Sequence, residues 1–406
     1  MAQAKASSRP WLTPDVLHIS LSAGFADLGY QGVMAAFPLF LVIALHAPVW
    51  VFGLAMALSY GGGALFAAWG GRIGDQVGHR RTALLGNSLI PLLSLTGLFA
   101  LPVAAVSFLC AGWWARNFRS PSRRAMLVEA TADRHRTAAF GFLHGVDVAG
   151  GIFAAIYVII LIRLQVPWSV VFLVSLIPLL ASTLMLSRAR TGLAPVSQAN
   201  EPPPPLVPAR QGALRNLLWA TAAYGFSSYA TGFPVLTAAI KTGSLVGGLV
   251  AFLVLQVVSS LTGVLLGGSF AKTLIGRFQH LSLYGYGSAA LGSVLLAIGY
   301  APNEPTWIVY LGVAIIGFAL AVIETLEPSL VSTLNRAGMA GRGFGALTAY
   351  RSVGLLLANL VLGVLYSLGA VYSYGYAALL AALAAVLILT GLPALRQEAA
   401  APEPPV

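Results

Sequence analysis

One apolar run of about twenty residues follows another along this chain, and a run of that length is what an α-helix needs to cross the hydrocarbon core of a bilayer. Twelve are counted, at 16–45, 49–70, 82–101, 103–127, 139–163, 167–188, 214–240, 245–270, 281–300, 305–332, 343–368 and 370–392. Charged residues make up 9% of the 406, against about 25% in a soluble domain, and 58% are hydrophobic, so polar groups are too few to cover a soluble globule. In lipid every backbone polar group must be satisfied within the protein, which leaves helices or closed β-barrels. Barrel strands show as alternating segments of about 10 residues, whereas these runs are continuous and rich in Ala, Leu and Gly. The expectation is an all-α membrane protein with twelve transmembrane helices.

The formal net charge of +11 raises the question of a nucleic-acid partner, and the placement of the basic residues answers it. Of the 23 Lys and Arg, 18 lie in the termini or in loops after even-numbered runs, while only Arg163 and Lys241 sit in the opposite loops. The positive-inside rule then puts both termini in the cytoplasm, for a multi-pass protein of the cytoplasmic (inner) membrane with no nucleic acid among its partners. The opening MAQAKASSRPWLTPD has no apolar core before a cleavage site, so helix 1 is expected to be its own targeting signal. A single cysteine, Cys110, excludes a disulfide framework and reads as a buried packing residue.

The long connection at 189–213 contains SQANEPPPPLVP and reads as a disordered cytoplasmic linker. It separates an N-terminal six-helix bundle, 1–188, from a C-terminal one, 214–406. The halves resemble each other: PSRRAMLVEATADRHRTAAFGFLHGVDVAG begins at Pro121 and PSLVSTLNRAGMAGRGFGALTAYRSVG at Pro328. With one three-residue gap, Phe140-Gly141 meets Phe344-Gly345, so the bundles are expected to be pseudo-symmetric, a layout found among transporters.

Between the second and third runs lies GRIGDQVGHRRTAL, residues 71–84, where Gly71, Gly74 and Gly78 would allow a tight reversal. Asp75 stands there among Arg72, His79, Arg80 and Arg81. Gly71, Ile73, Gly74, Asp75, Gly78 and Arg80 match the G-x-L-A-D-R-x-G-R-K-like signature of the major facilitator superfamily, which the whole chain resembles; Gln76 replaces the usual Arg. RNFRSPSRRAMLVEA and FGFLHGVDVAGG are similar to patterns of one bacterial, exporter-like branch. Helix 1 echoes that branch with Asp27, Tyr30 and Pro38 to Leu41, but carries Gln31 where the branch has an acid.

Charge inside the spans marks the candidate site. Asp27, Arg116, Arg119, Asp147, Glu324, Glu327 and Arg351 fall within the apolar runs. At about 2.5 to 3.5 kcal/mol each on insertion scales, seven facing lipid would cost roughly 20 kcal/mol, so they must face one another or water. Arg116 and Arg119 are three apart, as are Glu324 and Glu327, so each pair shares a helix face. The family resemblance implies that helices 1, 4, 7 and 10 line a central cavity, which would give a basic wall on helix 4 and an acidic wall on helix 10. The expected substrate and proton site is therefore Asp27, Tyr30, Gln31, Arg116, Arg119, Tyr224, Ser228, Glu324 and Glu327; Arg119 and Glu327, nearer the helix ends, are alternatively interfacial groups that snorkel. Helix 7, AAYGFSSYATGFPVL, is expected to break at Gly232 and Pro234, bordering protein or a wet cavity. Gly71, Asp75, Gly78, Arg80, Asp147 and Arg351 are the expected conformational gate, with Asp147 and Arg351 as latches between the halves or as simple pairs within a bundle. Gly141 with Gly145, and Gly263 with Gly267, give the small-x-x-x-small spacing of close helix contacts. Trp113, Trp114, Phe226, Tyr229 and Phe233 lie near these positions and could stack on a substrate.

No GxxxxGK[ST] is present: Lys241 and Lys272 precede Thr but follow Ile240 and Ala271, so this chain is not expected to hydrolyse ATP. HExxH, paired cysteines and a Ser-centred elbow are absent too. No cofactor or metal is expected, and the chain is read as a transporter rather than an enzyme. A carboxylate in a dry cavity is driven to its neutral form by desolvation and to its charged form by a nearby Arg. Asp27 and Glu324 are therefore the expected proton sites, with His144 a weaker one. The function expected is secondary active transport by alternating access, as proton-coupled export of a small organic or amphipathic solute by a monomer. Import, uniport or lipid flipping on the same fold is the alternative, and a channel or transport-dead sensor is the reading from another class.

Overall fold

A computed structural model of the chain describes residues 11–132, 135–191, 208–266, 273–334, 340–393 and 395–396. All regular structure among them is helical. In chain order the helices are α1 (Pro14–Pro38), α2 (Val49–Val77), α3 (His79–Leu89), α4 (Pro102–Glu129), α5 (Arg136–Arg163), α6 (Trp168–Leu173), α7 (Leu176–Arg188) and α8 (Pro208–Ser227). There follow α9 (Gly232–Thr242), α10 (Leu245–Leu266), α11 (Leu274–His280), α12 (Ser288–Tyr300), α13 (Trp307–Leu334), α14 (Ala340–Leu368) and α15 (Ala370–Leu389). Local sequence explains several boundaries. Pro14 opens α1 where its missing N–H costs nothing, and Thr13 caps the turn by accepting from Val16 N at 3.3 Å. Pro102 opens α4 in the same way.

Among the described residues nine helical stretches are long and apolar enough to cross a membrane. The three expected spans not among them each have a physical reason. The third passes from α3 into a 3-10 segment, Ile90–Leu98, that starts beside Pro91, whose ring removes a backbone donor. Arg116, Arg119, Arg123 and Arg124 crowd one half of α4 and lower its hydropathy. The seventh is interrupted between α8 and α9.

Two compact units divide the chain: residues 1–45 with 62–198, and residues 46–61 with 199–406. The division cuts α2, whose first residues cluster with the second unit, so this boundary differs from the 1–188 and 214–406 bundles expected. In the first unit α1 packs on α5 and α7, and α3 on α4; Val16, Ile19, Met126, Leu127 and Leu186 are fully buried there. In the second, α8 packs on α14 and α15, and α12 on α13 and α15, around Leu217, Phe278, Val322 and Leu330. Large apolar side chains also point outward, Val103 at 79% exposed and Leu379 at 74%, a surface suited to lipid rather than to water.

Much of the expected turn at 71–84 is helix. α2 runs through Gly71, Gly74 and Asp75 to Val77, and the chain leaves helical geometry only at Gly78, whose φ of 98° a side chain would resist. The small-residue contacts are not formed either: a Cβ at Gly141, Gly145 or Gly263 would meet nothing within 4 Å, and Gly267 lies outside the described residues. So does most of the expected linker.

Candidate functional site

In the first unit the intramembrane charges form one network on α1, α4 and α5. Asp27, 8% exposed, accepts from the hydroxyl of Tyr30, one turn on along α1, and Tyr30 in turn accepts from Arg116 Nη2 at 3.3 Å. The Arg116 guanidinium lies 5.0 Å from the ring centroids of both Tyr30 and Trp113, cation–π distances that partly replace its lost hydration. Gln31 and Met34 continue the stripe, Met34 buried and Gln31 half-buried. Asp147 on α5 pairs with Arg123 of α4 at 3.6 Å.

Arg119 is fully buried and makes no ion pair among the described residues. Its Nη1 donates to Asn87 Oδ1 on α3, and Asn87 Nδ2 donates to Ser182 Oγ at 3.1 Å and Thr183 Oγ1 at 2.8 Å on α7. Ser182 reaches Ser22 of α1 at 3.0 Å, so one polar chain ties four helices together. Charge buried this deeply is not snorkelling to an interface. Three arginines (Arg116, Arg119, Arg123) accompany two carboxylates (Asp27, Asp147), an excess of one positive charge among these five groups.

The second unit is built the other way. Glu327 on α13, 0% exposed, accepts from Arg351 of α14 and from the Tyr286 hydroxyl at 2.6 Å. Tyr286 sits in a π-helical segment, Leu281–Gly287, that precedes α12. Here two carboxylates (Glu324, Glu327) face one arginine. Asp147 lies seven residues after Phe140 and Arg351 seven after Phe344, so the internal repeat makes them equivalents with opposite charge, each paired to the preceding long helix of its own unit. Both therefore find a counter-charge within their own unit.

Beside this pair the second unit holds a cavity of about 250 Å³. Tyr224, Ser228, Glu324 and Arg351 line it, with Tyr60, Tyr229 and Ser293 completing its polar wall. It opens where the seventh span breaks. α8 stops at Ser227, α9 begins at Gly232, and the Ala230 N–H released between them donates to Asn359 Oδ1 on α14 at 3.0 Å. The break comes a few residues before the one expected, because Pro234 sits in the first turn of α9, where it needs no donor. α8 can approach α14 closely only through glycine: a Cβ on Gly354 would stand 2.6 Å from the Gly225 carbonyl carbon.

The aromatic expectations divide. Tyr229 lines the cavity and Trp113 flanks Arg116, whereas Trp114 stacks on Phe66 and Phe233 packs on Phe52 and Tyr366. His144 is exposed and takes no part in the network. At the α2–α3 junction Asp75, 49% exposed, reaches His79 at 3.7 Å, and Arg80 donates to Ala189 O and Ser187 O, both at 2.7 Å, closing the end of α7.

Asn87, Asn359, Tyr286 and Tyr60 were not foreseen as part of the site. The two asparagines carried a usable signal, because an amide in an apolar span is expensive unless paired. The tyrosines carried none, since a Tyr in a span as often lies at a membrane interface.

The family model described as Major Facilitator Superfamily matches residues 19–359. The chain belongs to the major facilitator superfamily. It is thus a secondary transporter of that family and a multi-pass integral membrane protein, and members of the superfamily are transport proteins rather than enzymes. Solved structures of similar fold include a POT family transporter in complex with a thioalcohol-conjugated peptide, at TM-score 0.75 and 14% identity over 93% of this chain and 96% of that one. A D-xylose–proton symporter follows at 0.73 and 14%, covering 92% and 96%, and a nucleoside transporter at 0.72 and 11%, covering 93% and 99%. No curated protein matches.

Proposed function

We propose that this superfamily member is a proton-coupled secondary transporter of a small organic solute, and that the second-unit cavity forms part of its solute site. The observation that carries the reading is that cavity, about 250 Å³, lined by a carboxylate and a guanidinium beside a broken helix. Pockets for drug-sized ligands measure about 300–1,000 Å³, so this cavity by itself suits a smaller group or one part of a larger solute. A gradient supplies the energy: a proton crossing the membrane gains about 2.3 kcal/mol per 100 mV. In the first unit Asp27 is the proton site. Its protonation would leave Arg116 without its nearest counter-charge, which makes proton occupancy a switch on the Tyr30–Arg116–Trp113 cluster. The division into two units supports alternating access, and the bias of Lys and Arg supports cytoplasmic termini in the inner membrane. Export in exchange for protons is the proposed direction; its support is the resemblance of helices 1, 4 and 5 to an exporter-like branch.

The test is accumulation in vesicles reconstituted with the pure protein under an imposed pH gradient. A pool of amines, sugars, carboxylates and nucleosides is supplied, and the contents are quantified by mass spectrometry. At least one solute should rise above its equilibrium level and fall back when a protonophore collapses the gradient. Movement only down the solute's own gradient would indicate a channel or uniporter instead.

A further inference from the structure

We infer that the solute is an organic cation bearing a protonated amine, and that the Glu324 carboxylate is its counter-ion. The inference rests on reading the second-unit cavity as the solute site. Two acids stand on the cavity side of α13 and differ in what is left of their charge. Glu327 is fully buried and already holds Arg351 and the Tyr286 hydroxyl. Glu324, one turn away, lines the cavity, is exposed, and makes no hydrogen bond or ion pair with any described residue. With both acids ionised, the lining and the pair beneath it sum to one negative charge, and Glu324 is the acid whose oxygens no hydrogen bond or ion pair takes up among the described residues.

Four of the hydroxyls around the cavity point the same way. Each has one proton to give and two lone pairs to offer. Ser227 and Ser228 both donate to Tyr224 O, at 2.8 and 2.9 Å, and Ser293 donates to Ala289 O at 2.9 Å. With the Ser293 proton spent, Tyr229 must be the donor of its 3.1 Å contact to Ser293 Oγ. Four hydroxyls thus keep only acceptors for a guest. A primary ammonium, which has three donors and no acceptor, matches such a wall, and Tyr60, Tyr224 and Tyr229 offer ring faces for its charge or its apolar part. The groups facing Glu324 are Arg351 from α14, Tyr224 from α8, Ser228 just beyond its end, Tyr60 from α2, and Glu327 on its own helix. α10 and α15 contribute Leu255 and Ala381, which carry no charge. Arg351 is the one cationic side chain in the lining among the described residues, and Glu327 already pairs with it.

The test uses the full chain in detergent and three probes of one shape: benzylammonium, benzyl alcohol and benzoate, with affinities read by calorimetry. Benzylammonium should bind at least tenfold more tightly than benzyl alcohol, and benzoate should be the weakest. E324Q should remove the preference of amine over alcohol and change the thermal midpoint little, since Glu324 makes no hydrogen bond or ion pair among the described residues. E324D should restore part of the preference. If E324Q keeps the amine preference, or benzoate binds best, the cation inference is overturned while the cavity reading stands. If none of the three binds the wild-type protein at millimolar concentration, both fall.

Discussion

Glu327 and Arg351 offer the most direct energetic test of the second unit's polar core. Glu327 has no access to solvent and two partners, whereas Arg351 keeps 30% of its side chain exposed. Removing one member of a buried ion pair costs about 3 to 5 kcal/mol, because the other charge stays buried and unpaired. Glu327→Gln should fall near about 3 kcal/mol, since the stranded guanidinium can be partly hydrated and Glu324 stands close by. Arg351→Met should fall near about 5 kcal/mol, since it leaves a fully enclosed carboxylate with only the Tyr286 hydroxyl. Replacing both removes the buried charge altogether and should cost less than either single change. At roughly 2 to 4 °C per kcal/mol for a unit of this size, the singles should lower the apparent thermal midpoint by about 6–12 °C and about 10–20 °C, and the double by only a few degrees. The assay is thermal unfolding of the three variants in one detergent at one scan rate, because membrane proteins unfold irreversibly. A double variant that loses the sum of the two singles would refute the reasoning, since additivity means that the charges do not neutralise each other.

Other substitutions probe the framework. Gly354→Ala should cost about 1 to 3 kcal/mol by forcing α8 and α14 apart, since its Cβ would stand 2.6 Å from the Gly225 carbonyl carbon; Gly145→Ala, with nothing within 4 Å, should be neutral or gain up to about 1 kcal/mol of helix propensity, and thermal unfolding of the pair distinguishes them. Arg80→Ala removes both hydrogen bonds that close α7 and should lower stability by about 1 kcal/mol, read by denaturation in the same detergent. Asp75→Asn loses only a half-exposed contact with His79, so the midpoint should hold while turnover in vesicles falls more than solute affinity; unchanged turnover would remove Asp75 from the gate.

What the sequence revealed, and what it hid, follows from the physics of lipid. Charge in a span is costly, so Asp27, Arg116, Glu324, Glu327 and Arg351 stood out from composition and spacing, and each lies in a polar cluster of its own unit. Pairing was less legible. Arg116 joins Tyr30 and Asp27 as a helical stripe suggests, but nothing in the spacing says that Arg119 would turn away to Asn87, or that Glu327 rather than Glu324 would hold Arg351. Such choices depend on which helices pack together. Gly-rich runs misled for a related reason: glycine permits a reversal but does not require one, and α2 continues through Gly71 and Gly74 because its backbone bonds are best made within the helix. The break before α9 was readable because a Gly and a Pro together weaken a helix, and its exact place was set by the Asn359 amide waiting on α14.

The central claim is that the second-unit cavity is where a gradient-driven solute binds. Ser228 lines that cavity and its hydroxyl bonds only to its own helix, so Ser228→Trp would fill the space with little loss of structure. Accumulation under a pH gradient, compared between wild-type and Ser228→Trp vesicles of equal protein content, tests the claim most directly. The account predicts uphill accumulation by the wild type and none by a folded Ser228→Trp protein. Equal accumulation by the two would contradict it.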